Sequence, residues 1–227
     1  MNNFNELWET ELYGKGNYLN RYPFDNVVTF LYRNYPREKK REDIKIMEVG
    51  CGAGNNLWFA AREGFNVTGI DGSKTAIQYA KDRFAAEGLK GHFVVGDFTS
   101  LPFEDQKFDI VIDRGSLVCV NREACKQTIG HIYRVLKPGG IFFLNLYSDR
   151  HSSHYLGTYQ ADGFTTDMVG GMLQGVGNIC FYGRNDLRYV VPDSFVTKSI
   201  VHKSFEHWTE GLVSFHSEWE MILSKPR

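Results

Sequence analysis

From residue 44 to residue 147 the chain alternates short apolar runs with longer amphipathic stretches, and this alternation restricts its fold more than any other feature. Ile44–Val49, Val67–Ile70, Phe93–Val95, Phe108–Ile112 and Ile141–Tyr147 read as strands. Between them Asn55–Arg62, Ser73–Glu87 and Arg122–Leu136 read as helices, ended by Gly64, Gly88 and Lys137-Pro138-Gly139-Gly140. Strands that alternate with helices of this length form βαβ units, and such units build a parallel sheet with helices on both faces. Right-handed crossovers then gather the loops that follow the strands along one carboxyl edge, where open sheets take their ligands.

The flanks read differently. Phe4, Leu7, Trp8 and Leu12 lie close to one helical face, and Gly14-Lys15-Gly16 breaks that helix. Pro23 opens a second helix with Val27, Val28, Phe30 and Leu31 inward, and Pro36 ends it. Residues 1–43 are therefore expected to form a helical cover. From Ser148 to Asn185 the pattern fails, and the segment is polar and rich in glycine. A compact domain rarely holds so long a loop without function, so 148–190 is expected to be a lid or acceptor segment with a short helix of its own. Ser194–Phe205 and Val213–Ser224 read as two long strands that finish the sheet as an antiparallel pair. The whole chain, 1–227, is expected to be one domain.

Composition narrows the function classes. With 227 residues, 42% hydrophobic and 23% charged, the chain can bury a core without disulfide staples. Lys plus Arg number 26 and Asp plus Glu 27, a net charge of −1, so the basic footprint of a bulk nucleic-acid binder is missing. The run Arg37–Asp43 has mixed sign and reads as a solvated connector. No apolar run approaches the ~20 residues of a membrane span, and the first residues lack the pattern of a signal peptide. A cytoplasmic protein with reduced thiols is the expectation. Cys51, Cys119, Cys125 and Cys180 include no C-x-x-C pair, and no metal is expected.

The strongest local motif is Glu48-Val49-Gly50-Cys51-Gly52-Ala53-Gly54-Asn55-Asn56, between a strand and a helix. Glycines allow a positive φ and close approach of the backbone to a ligand. The helix N-terminus beyond them offers free N–H groups to a carboxylate or phosphate. Asn55 stands where a dinucleotide fingerprint would have its third glycine. Asp71, in Ile70-Asp71-Gly72-Ser73, lies about 20 residues on, where an acid accepts hydrogen bonds from two ribose hydroxyls. Ser73 is the better cap for the helix that follows. The first βαβ unit is thus suited to a nucleoside that carries a small anionic or zwitterionic group.

From about Asn17 onward the chain resembles the class I S-adenosylmethionine-dependent methyltransferases. Five stretches carry the resemblance in order: Ile46–Gly54, Gly69–Ser73, Val95–Phe98 with Leu101-Pro102-Phe103, Phe108–Asp113, and Arg134–Gly140. The resemblance implies a Rossmann-like seven-stranded, mostly parallel sheet whose last strand is antiparallel, and S-adenosyl-L-methionine as cofactor. It implies that Gly50, Gly52 and Gly54, with Glu48, Cys51 and Asn55, border the methionine part. Asp71, with Gly72 and Ser73, would hold the ribose, Asp97 the adenine amino group, and Phe98 would lie near the ring. Asp113 and Arg114 would sit by the sulfonium and amino group. Asp109 and Lys137–Gly140 would be structural. Two departures stand out. The family often has a His shortly after the fourth motif, where this chain has Ser116-Leu117-Val118-Cys119-Val120, and the Pro-Pro-Tyr-type fourth motif of amide and adenine methyltransferases is absent.

The acceptor end is less defined. Tyr147, His151 and His154 follow strand five and are the candidate catalytic groups, since an alcohol acceptor gains from a general base. Tyr18 is a candidate cofactor cover, because an aromatic face attracts a sulfonium. Arg21, Tyr22 and Ser116 are candidate acceptor contacts. Trp8 and Trp58 read as packing residues. Arg114, Arg184 and Arg188 are candidates to bind an anionic acceptor such as a phosphate or carboxylate, and Arg184 and Arg188 fit a surface pair at helical spacing just as well. The expected function is methyl transfer to a small molecule, at oxygen, with a homodimer as an open assembly. A non-catalytic S-adenosylmethionine-binding protein and an NAD-dependent oxidoreductase stand as alternatives.

Overall fold

The computed structural model describes residues 5–209 and 212–227. Seven strands form the main sheet: β1 (Lys45–Val49), β2 (Asn66–Asp71), β3 (His92–Val95), β4 (Phe108–Arg114), β5 (Leu136–Tyr147), β9 (Val196–Thr209) and β10 (Leu212–Ser224). Their order is β3-β2-β1-β4-β5-β10-β9. The first five run parallel, and β10 is antiparallel to both β5 and β9. The expected topology is therefore the observed one, with a hairpin longer than its apolar pattern announced.

Alternation in the strands builds two core layers. Met47 and Val49 of β1, with Val111, Phe142 and Leu144, face a layer closed by α4 (Arg122–Val135) and α6 (Arg184–Val190). Ile46, Ile110, Ile112 and Phe143 face the other, under α1 (Asp25–Asn34), α2 (Asn55–Arg62) and α3 (Lys74–Ala86). Helix α1 buries Val27, Phe30 and Leu31 as its period requires, while Val28 is only half-buried. Ser73 caps α3 by accepting from the Ala76 N–H at 3.0 Å, and Asn121 caps α4 by accepting from Ala124 at 2.9 Å. Before α1 the chain forms a π-helical segment, Trp8–Tyr13, with Leu12 buried. Phe4, read as part of that helical face, lies outside the described residues.

The segment after β5 has more structure than its sequence suggested. It holds α5 (Ser152–Tyr155) and a small antiparallel sheet, order β6-β7-β8, from β6 (Thr158–Tyr159), β7 (Phe164–Thr166) and β8 (Ile179–Cys180). Strands of two or three residues carry no readable period, so the polar, glycine-rich composition masks them. This segment, expected as a lid, is tied to the sheet's carboxyl edge where Ser148 bridges to Tyr182.

Candidate cofactor and acceptor site

The site grows from the end of β1. Gly50, Gly52 and Gly54 have φ of 58°, 49° and 72°, in the left-handed region that glycine occupies without strain. A Cβ on Gly50 would lie 2.2 Å from the Ser116 Cβ. The Cys51 N–H donates to the Ile70 carbonyl at 3.1 Å and ties the loop to β2. At the end of β2, Asp71 is buried, and its two oxygens accept one N–H each, from Gly52 and from Ser73, both at 2.8 Å. Each oxygen keeps a lone pair. Burial raises the Asp71 pKa to about 6, against those two hydrogen bonds.

Glu48 is the second buried acid. Its Oε1 accepts from Asn56 Nδ2 at 2.6 Å, and its Oε2 is buried without a partner among the described residues. Burial pushes its pKa to about 8, against the Asn56 hydrogen bond, and the charges of Asp113 and Asp71 add to the rise. These two acids sit on the wall of a cleft of about 360 Å³ at the carboxyl edge. That volume falls in the range of small-molecule sites.

Twelve of the residues singled out in the sequence line this cleft: Glu48, Gly50, Cys51, Gly52, Asn55, Asp71, Gly72, Phe98, Arg114, Ser116, Tyr147 and Tyr18. Tyr18 is held with φ 61° and packs edge-on against Trp8. The others take different places. Gly54 opens α2, and Ser73 caps α3 while bonding Glu9. Asp97 Oδ1 accepts from the N–H and hydroxyl of Thr99, at 2.8 and 2.7 Å. Asp113 is fully buried and accepts from the Ser116 and Leu117 N–H groups at 2.9 and 3.0 Å, which fixes the turn after β4. Arg21 and Tyr22 are exposed, and the Tyr22 ring packs on Trp58 rather than into the cleft.

The two histidines of the lid are not on the cleft wall either. His151 is fully buried, its Nδ1 accepts from Ser153 N at 3.1 Å, and its Nε2 lies 3.2 Å from His216 Nδ1. Burial, with the neighbouring His216, lowers its pKa to about 3. His154 Nδ1 pairs with Thr165 Oγ1 at 2.9 Å inside the lid. Among the described residues no group of three or more potential ligands could hold a metal.

Tyr147 does line the cleft. Its phenol is raised above its ordinary pKa by burial, opposed by the Arg114 charge beside it. At neutral pH it is a hydrogen-bond donor. Cys119 also lines the cleft as a thiol, pushed by burial to about 12. Sequence reasoning passed over several wall residues. Trp8 packs on Tyr13 and Tyr18 and also faces the cleft, as do Phe24 and, from the lid, Leu173, Val176 and Ile179. Only Trp8 left a trace, as an aromatic in a segment crowded with them.

Residues 46–140 match the model of a family described as a methyltransferase domain. Squalene methyltransferase 1 of Botryococcus braunii is 37% identical over 102 residues, 44% of this chain and 26% of that protein. The phthiotriol/phenolphthiotriol dimycocerosates methyltransferase of Mycobacterium tuberculosis is 30% identical over 133 residues, 56% of this chain and 47% of that protein. The chain thus spans less than half the length of these curated relatives. A solved S-adenosylmethionine-dependent methyltransferase from Methanosarcina mazei superposes with a TM-score of 0.67, at 24% identity over 85% of this chain and 98% of that one. Residues 46–140 match a methyltransferase domain, and fold, motifs and cleft resemble those of the class I S-adenosylmethionine-dependent methyltransferases. The cofactor is S-adenosylmethionine.

Proposed function

We propose that the protein transfers a methyl group from S-adenosylmethionine to the oxygen of a small, largely apolar acceptor. The observation that carries this reading is the cleft at the carboxyl edge, with buried acids at the glycine loop and apolar side chains along much of the remaining wall. The free lone pairs of Asp71 suit two ribose hydroxyls, and the unpartnered Glu48 Oε2 suits an ammonium group. When bound, the cofactor supplies a methyl group on a positively charged sulfur that leaves as a neutral thioether.

The protein's own part is alignment and exclusion of water. Orientation of two reactants supplies roughly 7–11 kcal/mol in favourable cases. Trp8 and Tyr18 line the cleft from the N-terminal segment, and Leu173, Val176 and Ile179 line it from the segment after β5. Such a space suits a small molecule rather than a macromolecule. The relatives named above act on squalene and on phthiotriol dimycocerosates by name, which supports an acceptor with an apolar body. Tyr147, held as a neutral phenol, is a donor that orients the acceptor and not a base.

The test is a transfer assay with methyl-tritiated S-adenosylmethionine and a panel of carboxylic acids, phenols, thiols and amines. The reading expects extractable label on an oxygen acceptor, lost in Asp71→Ala. A folded protein that binds the cofactor product yet labels no class of the panel would favour the non-catalytic alternative.

A further inference from the structure

Strand register places a row of polar side chains on one face of the sheet at its carboxyl end. Glu48 lies opposite Ile112, Arg114 opposite Asn145, and Tyr147 opposite Glu218, so Glu48, Arg114, Asn145, Tyr147 and Glu218 share that face. Arg114 has a side-chain exposure of 15%. Its guanidinium lies 4.2 Å from the centre of the Phe24 ring, and one nitrogen is 4.0 Å from Glu218 Oε2. Its Nε is buried without a partner among the described residues, and so is the Asn145 Oδ1 next to it in register. A guanidinium carries five N–H donors, and a buried charge needs pairing and hydrogen bonds to offset its lost hydration. The Tyr147 side chain hydrogen-bonds the Arg114 guanidinium, and Glu218 stands at the limit of contact, which leaves the Arg114 Nε open.

Its setting says what completes it. Among the described residues that line the cleft, Arg114 is the one cation, whereas both acids, Glu48 and Asp71, flank the glycine loop. The guanidinium faces the Phe24 ring, and the same cleft is lined by the apolar side chains of Val120, Val176 and Ile179. Glu218 is itself held in place, since its Oε2 lies 3.2 Å from His216 Nε2, and His216 Nδ1 lies 3.2 Å from His151 Nε2. We infer that Arg114, positioned by Glu218 and the His216–His151 pair, receives a carboxylate on an acceptor with an apolar body. This rests on the methyl-transfer reading of the cleft and names the acceptor class.

The chemistry is self-consistent. A carboxylate oxygen forms the new O–CH₃ bond as the S–CH₃ bond breaks and its electron pair returns to sulfur. An anion and a cation become two neutral products, and no proton has to be removed. That removes the need for the imidazole base that the described cleft wall lacks.

The experiment is calorimetric titration of protein saturated with S-adenosylhomocysteine, using matched acids and amides: phenylacetate and phenylacetamide, octanoate and octanamide. The acids are expected to bind at least tenfold more tightly than the amides. Arg114→Gln should abolish that preference, and Arg114→Lys, which keeps a charge and guards against misfolding, should retain part of it. Equal affinity for acid and amide, or no binding of either, overturns the proposal. Loss of S-adenosylhomocysteine binding in both Arg114 variants overturns it too, because Arg114 would then serve the cofactor. Failure of the wild-type chain to bind S-adenosylhomocysteine is a different result and strikes the methyl-transfer reading itself.

Discussion

Glu48 shows how a single side chain records the purpose of the cleft. In the unfolded chain its carboxyl titrates near 4.5, and in the fold it holds its proton to about pH 8. Between those values the native state carries the extra proton, so this group makes stability fall as pH rises. The penalty is complete above pH 8 and amounts to a few kcal/mol on the scale of about 1.4 kcal/mol per pKa unit. Glu48→Gln, which cannot ionise, should therefore unfold at higher temperature than wild type at pH 8 and show a flatter stability profile between pH 5 and 8. Thermal melts of the ligand-free protein check this. Gly50→Ala should act oppositely, because its Cβ meets Ser116 at 2.2 Å and its φ is 58°. A cost of about 1–3 kcal/mol and at least a tenfold loss of S-adenosylhomocysteine affinity are the expected results. The places of these residues on the cleft wall were legible because glycine and acid spacing around a strand end is local information. Those of His151 and His154 were not, because whether a lid histidine faces the cleft depends on how the lid folds.

At the scale of elements, the parallel strands and their helices were legible to within a residue or two, since period and glycine stops both act over short range, except that β5 begins at Leu136 and takes in the Lys137–Gly140 stretch read as a turn. The register that brings Arg114 beside Glu218 was hidden, because it joins β4 and β10 through β5. Asp109 anchors the start of β4: Lys39 and Lys137 donate to its two oxygens at 2.7 Å each, and the Lys45 N–H donates at 3.0 Å. Burial raises its pKa, and these donors outweigh that and hold it below its ordinary value. Its stabilisation is present above the unfolded value near 3.8 and is lost as pH falls through the lower folded one. Asp109→Asn should lower stability by about 1–3 kcal/mol in chemical denaturation and leave S-adenosylhomocysteine affinity within twofold. The segment Trp8–Tyr13 differs in that Trp8 and Tyr13 line the cleft. Trp8→Ala should weaken S-adenosylhomocysteine binding about tenfold, read by calorimetry, with little change in the melting temperature of the free protein.

Among the described residues a seven-stranded sheet lies between two helical layers beside a small three-stranded sheet, with a cleft at the carboxyl edge that the N-terminal segment and the segment after β5 also line. No helix among the described residues is long and apolar enough to cross a membrane. The central claim is that this cleft holds S-adenosylmethionine through Asp71 and the Gly50–Gly54 loop. Ligand at a hundred times its Kd should stabilise the fold by about 2.7 kcal/mol, which gives an independent check by thermal shift. The decisive measurement is calorimetric titration with S-adenosylhomocysteine of wild type beside Asp71→Ala and the near-isosteric Asp71→Asn. Micromolar binding by wild type, lost in Asp71→Ala and weakened in Asp71→Asn with both variants folded, is the result predicted. A folded wild-type chain that takes up no S-adenosylhomocysteine would contradict the account.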